Sequence, residues 1–207
     1  MDRARYILAV ILLLSWPPGL LLWFAIHPFA RFWRKVGPGW TYGILAAPSL
    51  LLATVVWRFR HRLLSVDLGT SYPLIGLAVV TAVGAGILAV KRRKYLTFRI
   101  LAGVPELARG DDRGVLLRDG IYGVIRHPRY IEALLGVATY ALFSNYLGLY
   151  VLLLLSLPAL YLVVLLEERE LRDRFGADYE SYCRKVPRFL PRSWRSVVPG
   201  GRGAASG

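Results

Sequence analysis

Cysteine is almost missing from this chain: Cys183 stands alone among 207 residues. A single thiol excludes an internal disulfide framework and a cysteine-built zinc cluster. Histidine is nearly as scarce. His27, His61 and His127 lie too far apart in sequence to suggest a ligand set, so no metal is expected. Acidic residues are few as well, 13 Asp and Glu against 27 Lys and Arg, which gives a formal charge of +14. The most informative shortage is local. No Asp, Glu, Lys or Arg occurs in 6–30, 36–57, 68–90 or 133–166. With 56% hydrophobic residues and a mean hydropathy of +0.45, the chain reads as a membrane protein rather than a soluble or disordered one.

A membrane-crossing helix needs about 20 mostly apolar residues, so each of the first three windows fits one crossing. The fourth window, at roughly 50 Å as one helix, is too long for one crossing and short for two. Ser144, Asn145, Tyr146 and Gly148 interrupt it. It therefore reads as a hairpin with a short first arm and a full second arm near 149–166. The expected fold is all-α and integral to the membrane, with about five transmembrane helices and a C-terminal helix and tail completing a cofactor pocket. Arg3 and Arg5 ahead of an apolar run resemble a signal peptide, but Trp16, Pro17 and Pro18 interrupt that run and it then resumes. The segment is read as a retained first helix that the proline pair kinks or breaks. In the third window Ala78, Ala82 and Gly86 repeat at four-residue steps, a spacing that lets helices pack closely.

Basic residues suggest sidedness. The stretch 91–129 holds ten Lys and Arg, and the tail after Leu166 holds nine. A hairpin between them puts both on one face, together with Arg31, Arg34 and Lys35; Arg3, Arg5, Arg58, Arg60 and Arg62 fall on the other. The positive-inside rule makes the richer face cytosolic, so the active site and C-terminus are expected there. The basic excess then reflects topology and anionic lipid, and no nucleic acid partner is expected. The chain divides into three N-terminal helices (1–90), a cytosolic loop (91–130), a membrane hairpin (131–166), a C-terminal helix and turn (167–198) and a low-complexity tail (199–207) read as disordered.

Two polar stretches carry candidate chemistry. In 110–130, Gly110 to Gly114 and Asp119-Gly120 read as turns, and Pro128 suits a helix start. Arg126, His127 and Tyr130 thus gather at a helix N-terminus near the membrane boundary, where dipole, guanidinium and imidazole suit a carboxylate or phosphate. They would equally suit an interfacial anchor. In 167–191, Glu167 ends an apolar run on the same stripe as Leu171 and Phe175, and an acid at that depth tends to face a polar cavity or a cation. Glu168, Arg169 and Glu170 are read as a solvated face with i,i+4 partners Arg172, Asp173 and Arg174. Tyr179, Tyr182 and Val186 form a second stripe. Pro187 ends the helix, and Arg188 is a candidate anion clamp.

Together the two stretches resemble the isoprenylcysteine carboxyl methyltransferase family and, more loosely, the phospholipid N-methyltransferases. The shared pattern is a glycine and tyrosine, Arg-His-Pro-x-Tyr-x-Gly, a hairpin, Glu-Glu-x-x-Leu-x-x-x-Phe-Gly-x-x-Tyr-x-x-Tyr, and a closing Val-Pro-Arg. Gly120, Tyr122, Arg126, His127, Pro128 and Tyr130 supply the first block. Glu167, Glu168, Leu171, Phe175, Gly176, Tyr179, Tyr182, Val186, Pro187, Arg188 and Pro191 supply the second.

The resemblance implies S-adenosyl-L-methionine as methyl donor and a lipophilic or lipidated acceptor arriving sideways from the bilayer. Carried over by position, Val115, Leu116, Leu117 and Tyr122 border the adenosine. Arg126, His127, Tyr130, Tyr179 and Tyr182 help hold the cofactor. Glu167 and Arg188 sit nearest the acceptor. Two positions depart from the pattern: Gly114 stands where many relatives have histidine, and Glu132 replaces the glycine. A further carboxylate would repel a carboxylate acceptor and suit a thiol or amine, for which Glu132 or Glu167 would take the proton. The Arg-His-Pro-x-Tyr motif is also similar to that of sterol-type reductases, which would imply NADPH. A non-catalytic membrane protein of the same fold is the third expectation.

Overall fold

The computed structural model describes residues 1–94 and 115–191. The expected turn at 110–114, Gly114 itself and the tail 199–207 lie outside them. Seven α-helices and one short 3-10 helix make up the described fold: α1 (Asp2–Ile26), α2 (Ala30–Val36), α3 (Pro38–Leu63), α4 (Tyr72–Arg93), the 3-10 turn (Gly120–Gly123), α5 (Pro128–Ser144), α6 (Leu147–Phe175) and α7 (Ala177–Lys185). Among the described residues, α1, α3, α4 and α6 are long and apolar enough to cross a bilayer. At 17 residues, about 25 Å, α5 is the short arm of the hairpin. The five expected crossings thus become four helices of spanning length and one shorter helix.

Local chemistry sets the ends. Proline opens α3, α4 and α5 in the first turn, where its missing N–H costs nothing. Asn145 adopts the left-handed conformation (φ 55°) and ends α5 one residue before α6 is prepared by extended Tyr146. Gly176, at φ 53° and ψ −127°, occupies a region closed to other residues and turns α6 into α7.

Two sequence expectations change. The proline pair does not break α1, which is assigned helical throughout. Adjacent prolines free only the carbonyls of Leu13 and Leu14, and α1 packs against α3, α5 and α6, an arrangement in which a membrane helix tolerates proline. Beside the pair, Trp16 Nε1 donates to Ser156 Oγ of α6 at 2.7 Å. On α4, Ala78 is buried but Ala82 and Gly86 are exposed. The face turned to α5 runs instead through Ala78, Thr81 and Gly84: Thr81 and Thr139 hydroxyls meet at 2.9 Å, and a Cβ on Gly84 would touch Leu135 at 3.4 Å.

The bundle has two polar ends. At one, Arg5 of α1 reaches the Ser144 carbonyl and the carboxylates of Asp2 and Asp67. There the α3–α4 connection pairs with the α5–α6 turn through Leu68 N–H to Asn145 O and Leu147 N–H to Val66 O, both 3.1 Å. Gly148 has no room for a side chain; a Cβ would sit 2.0 Å from the Leu63 carbonyl oxygen. At the other end His27, closing α1, lies 3.6 Å from Glu170 on the charged extension of α6.

Candidate functional site

The second end is built from two segments about 60 residues apart. Pro128 starts α5, which leaves the amides of Arg126 and His127 just ahead of the helix outside its hydrogen-bond ladder. Extended Val186, followed by Pro187, ends α7 and leaves the carbonyls of Pro187 and Arg188 free to accept. The two pieces bond directly: Arg126 N–H donates to Pro187 O at 2.9 Å and His127 N–H to Arg188 O at 3.1 Å. Arg126 then caps α7, its Nη1 donating to the Cys183 and Val186 carbonyls at 3.0 and 3.1 Å, where a cation suits the helix dipole. Tyr182 adds a 2.6 Å bond from its hydroxyl to the Tyr122 carbonyl.

Glu168 is the centre of this assembly and is fully buried. Its Oε1 accepts from Arg126 Nη2 at 2.8 Å and Arg188 Nε at 3.0 Å, and lies 3.2 Å from His127 Nε2. Its Oε2 accepts from Arg188 Nη2 at 2.8 Å and Arg172 Nη2 at 3.3 Å. Three guanidiniums and an imidazole therefore share one carboxylate. Glu167 flanks them, 3.5 Å from His127 Nδ1 and within hydrogen-bond reach of Tyr130. Burial alone would lower the His127 pKa, but the hydrogen bonds and charges of Glu167 and Glu168 outweigh it and raise it above the ordinary histidine value. Burial pushes the phenols of Tyr122, Tyr179 and Tyr182 well above theirs, so they stay neutral.

The remaining expected residues fall around this centre. Leu116 packs on Tyr179, Tyr182 and Val186, and Tyr130 is buried against Leu160 and Val163. Leu117 is half-buried, whereas Val115 is largely exposed. Glu132 is not a free anion: Arg92 of α4 grips both its oxygens at 2.7 and 2.8 Å. The phenol of Tyr122 feels the charges of both Arg92 and Glu167, so this pair borders the same cluster.

Glu168 and Arg92 are the residues that the sequence reading missed. Glu168 was expected in solvent because its i,i+4 partner Arg172 looks like a surface pairing. Yet Ser156, Leu160, Val164 and Glu168 follow one another at four-residue steps and are all buried, a signal that was available. Arg92 was read as a topogenic charge. It lies on the α5-facing side of α4, fourteen residues or four turns beyond Ala78, and is buried. Arg169 does face solvent as expected, and Glu170 is mostly buried between His27 and Arg174.

The arrangement is a cation-rich, largely buried cluster beside the apolar and aromatic side chains of Leu116, Tyr179 and Tyr182. Arg126 Nε and Arg92 Nη1 are buried without a hydrogen-bond partner among the described residues. Spare donors of this kind suit an anionic group, and the apolar and aromatic side chains suit a flat ring.

Comparison with known proteins places the chain among its relatives. The chain is 31% identical over 180 residues to methanethiol S-methyltransferase 2 of Bradyrhizobium diazoefficiens, an alignment covering 79% of this chain and 65% of that protein. The chain thus spans just under two thirds of that relative's length. It is 29% identical over 77 residues to the nickel-cobalt-cadmium resistance protein NccN of Alcaligenes xylosoxydans xylosoxydans, covering 37% of this chain and 36% of that one. No solved structure matches. Residues 74–178, which run from α4 into α7 and include Arg126, His127, Glu167 and Glu168, match the phospholipid methyltransferase family, and the chain belongs to it.

Proposed function

We propose that the chain is an integral-membrane methyltransferase that uses S-adenosyl-L-methionine to methylate a small apolar thiol arriving from the bilayer, with its site on the cytosolic face. The observation that carries this reading is the surplus of cations around Glu168, held where the Arg126-His127 and Pro187-Arg188 segments bond to each other. That surplus fits the carboxylate of an amino-acid-like cofactor, and the Leu116, Tyr179 and Tyr182 wall fits its adenine. The relative named for methanethiol favours a thiol acceptor. So does Glu132, whose charge Arg92 neutralises, leaving Glu167 as the carboxylate near the acceptor.

S-adenosyl-L-methionine, when bound, supplies an electrophilic methyl group on a cationic sulfur. Arg126, Arg188 and His127 would hold its carboxylate, and Tyr122, Leu116 and Tyr182 its nucleoside. A Glu167 oxygen, oriented by His127 and Tyr130, would take the acceptor's S–H proton. The neighbouring positive charges favour the thiolate that remains. The closely packed apolar surroundings keep water from competing, and fixing both reactants in line contributes much of the rate.

Titration of the purified protein in detergent with S-adenosyl-L-methionine tests the donor. Saturable binding that weakens in Arg188→Ala and His127→Ala is expected; no saturable binding, or binding unaltered by both changes, sinks the proposal. Stabilisation by NADPH instead would point to a reductase. Methylated products from a panel of thiols, amines and lipids, followed with an isotopically labelled methyl donor, test the acceptor.

A further inference from the structure

Trp23 belongs to α1, outside the residues that match the family, yet it stands directly behind the candidate centre. Its ring meets that of Tyr130 edge-on, with centroids 5.4 Å apart at 72°. Tyr130 is the residue that reaches Glu167. Trp16, about two turns earlier on the same face of α1, meets Trp23 edge-on at 6.0 Å and is itself tied to Ser156 by its indole N–H. The guanidinium of Arg129 lies 4.9 Å from the Trp23 ring centroid. An indole held by two edge-on aromatic contacts and a cation over the ring has little freedom to swing aside.

The surroundings are apolar. Leu160, Val163 and Val164 of α6 are buried with Tyr130, and Trp16, Leu20 and Trp23 pack against them from α1. A thiol whose sulfur lies beside Glu167 would have to extend its alkyl group along Tyr130 into this layer. The ring next to Tyr130 in this layer is the Trp23 indole.

We propose that Trp23 is a specificity-determining residue: it closes the apolar end of the acceptor space and restricts the enzyme to thiols with very short alkyl chains. This rests on the thiol methyltransferase reading above. Because α1 lies outside the family match, acceptor length is set by a part of the chain separate from the donor-holding residues.

The test compares unaltered protein, Trp23→Ala and Trp23→Leu in lipid nanodiscs, using straight-chain thiols from methanethiol to hexanethiol. Binding of the matching methyl alkyl sulfides, followed calorimetrically, gives a readout independent of turnover. Trp23→Leu keeps an apolar side chain on the helix face if Trp23→Ala does not fold. The expected result is a gain of about tenfold or more in kcat/KM for hexanethiol relative to methanethiol in either variant. The sulfides should show the same shift, and donor affinity should be unchanged. An unaltered length profile, or equal loss for every thiol, overturns the proposal while leaving the methyltransferase reading intact. No thiol turnover and no sulfide binding in the unaltered protein overturn that reading, and the proposal with it.

Discussion

The two polar ends of the bundle solve opposite problems. At the Arg5 end one buried cation meets two carboxylates, a backbone carbonyl and the face of Tyr146. At the Glu168 end one buried carboxylate meets three guanidiniums and an imidazole. The first end is closed by the chain's own partners and by a contact too tight for any side chain at Gly148. The second gathers three guanidiniums and His127 around Glu168 and Glu167 and leaves the charged atoms Arg126 Nε and Arg92 Nη1 without a hydrogen-bond partner among the described residues. Burying unbalanced charge is costly, so an excess that persists in a native fold points to a ligand that balances it. A cluster whose carboxylates open to water, as Asp2 and Asp67 do, points to a clasp.

The sharpest way to break this contrast is to remove each central charge. Glu168→Ala leaves buried Arg126 and the half-open Arg172 and Arg188 without their shared anion; a stability loss of about 3 kcal/mol and no measurable donor binding are expected, read by thermal unfolding and titration. Arg5→Ala should cost somewhat less, because the Asp2 and Asp67 it abandons are partly open to water. Donor affinity should hold, and a marked drop would show that the two ends are not independent. Arg188→Ala removes a half-open guanidinium and should weaken donor binding roughly 10- to 100-fold, as expected for charge-assisted bonds of about 1.5–3 kcal/mol, with little change in unfolding temperature.

Titration supplies the finest test, because the two ends respond at opposite extremes of pH. Asp67 is held below its usual value: burial opposes this, but the Gly69 N–H and Arg5 outweigh it. Its contribution is complete above the unfolded value of about 3.8 and is lost as pH falls through the lower folded value. His127 is raised, so its contribution is complete below about 6.5 and is lost as pH rises through the higher folded value. Unfolding temperature against pH should therefore flatten on the acid side in Asp67→Asn and on the alkaline side in His127→Gln. A change on the same side in both would contradict the assignment.

Much of this was readable beforehand. Long apolar runs need no partner to declare themselves, so the spanning helices and the hairpin break at Asn145 follow from hydropathy and turn chemistry alone. The two motif blocks could be paired by resemblance, and their residues do meet. What escaped was charge in three dimensions. Glu168 looks solvated because helical spacing supplies a plausible surface partner in Arg172, and only the other faces of the bundle bring Arg126, His127 and Arg188 to it. Glu132 looks like a lone acid because Arg92, forty positions earlier, belongs to a different helix. Hydropathy also could not say that Trp23 stands behind Tyr130, since a tryptophan near a helix end usually reads as an interfacial anchor.

The amides of Arg126 and His127 find their acceptors only on Pro187 and Arg188. During synthesis the hairpin can enter the bilayer long before those carbonyls have been made. The nascent protein therefore cannot close this end of the bundle until the chain through Arg188 has left the ribosome. Closure of this end is in this sense a post-insertion event, completed when Pro187 and Arg188 reach the hairpin already in place.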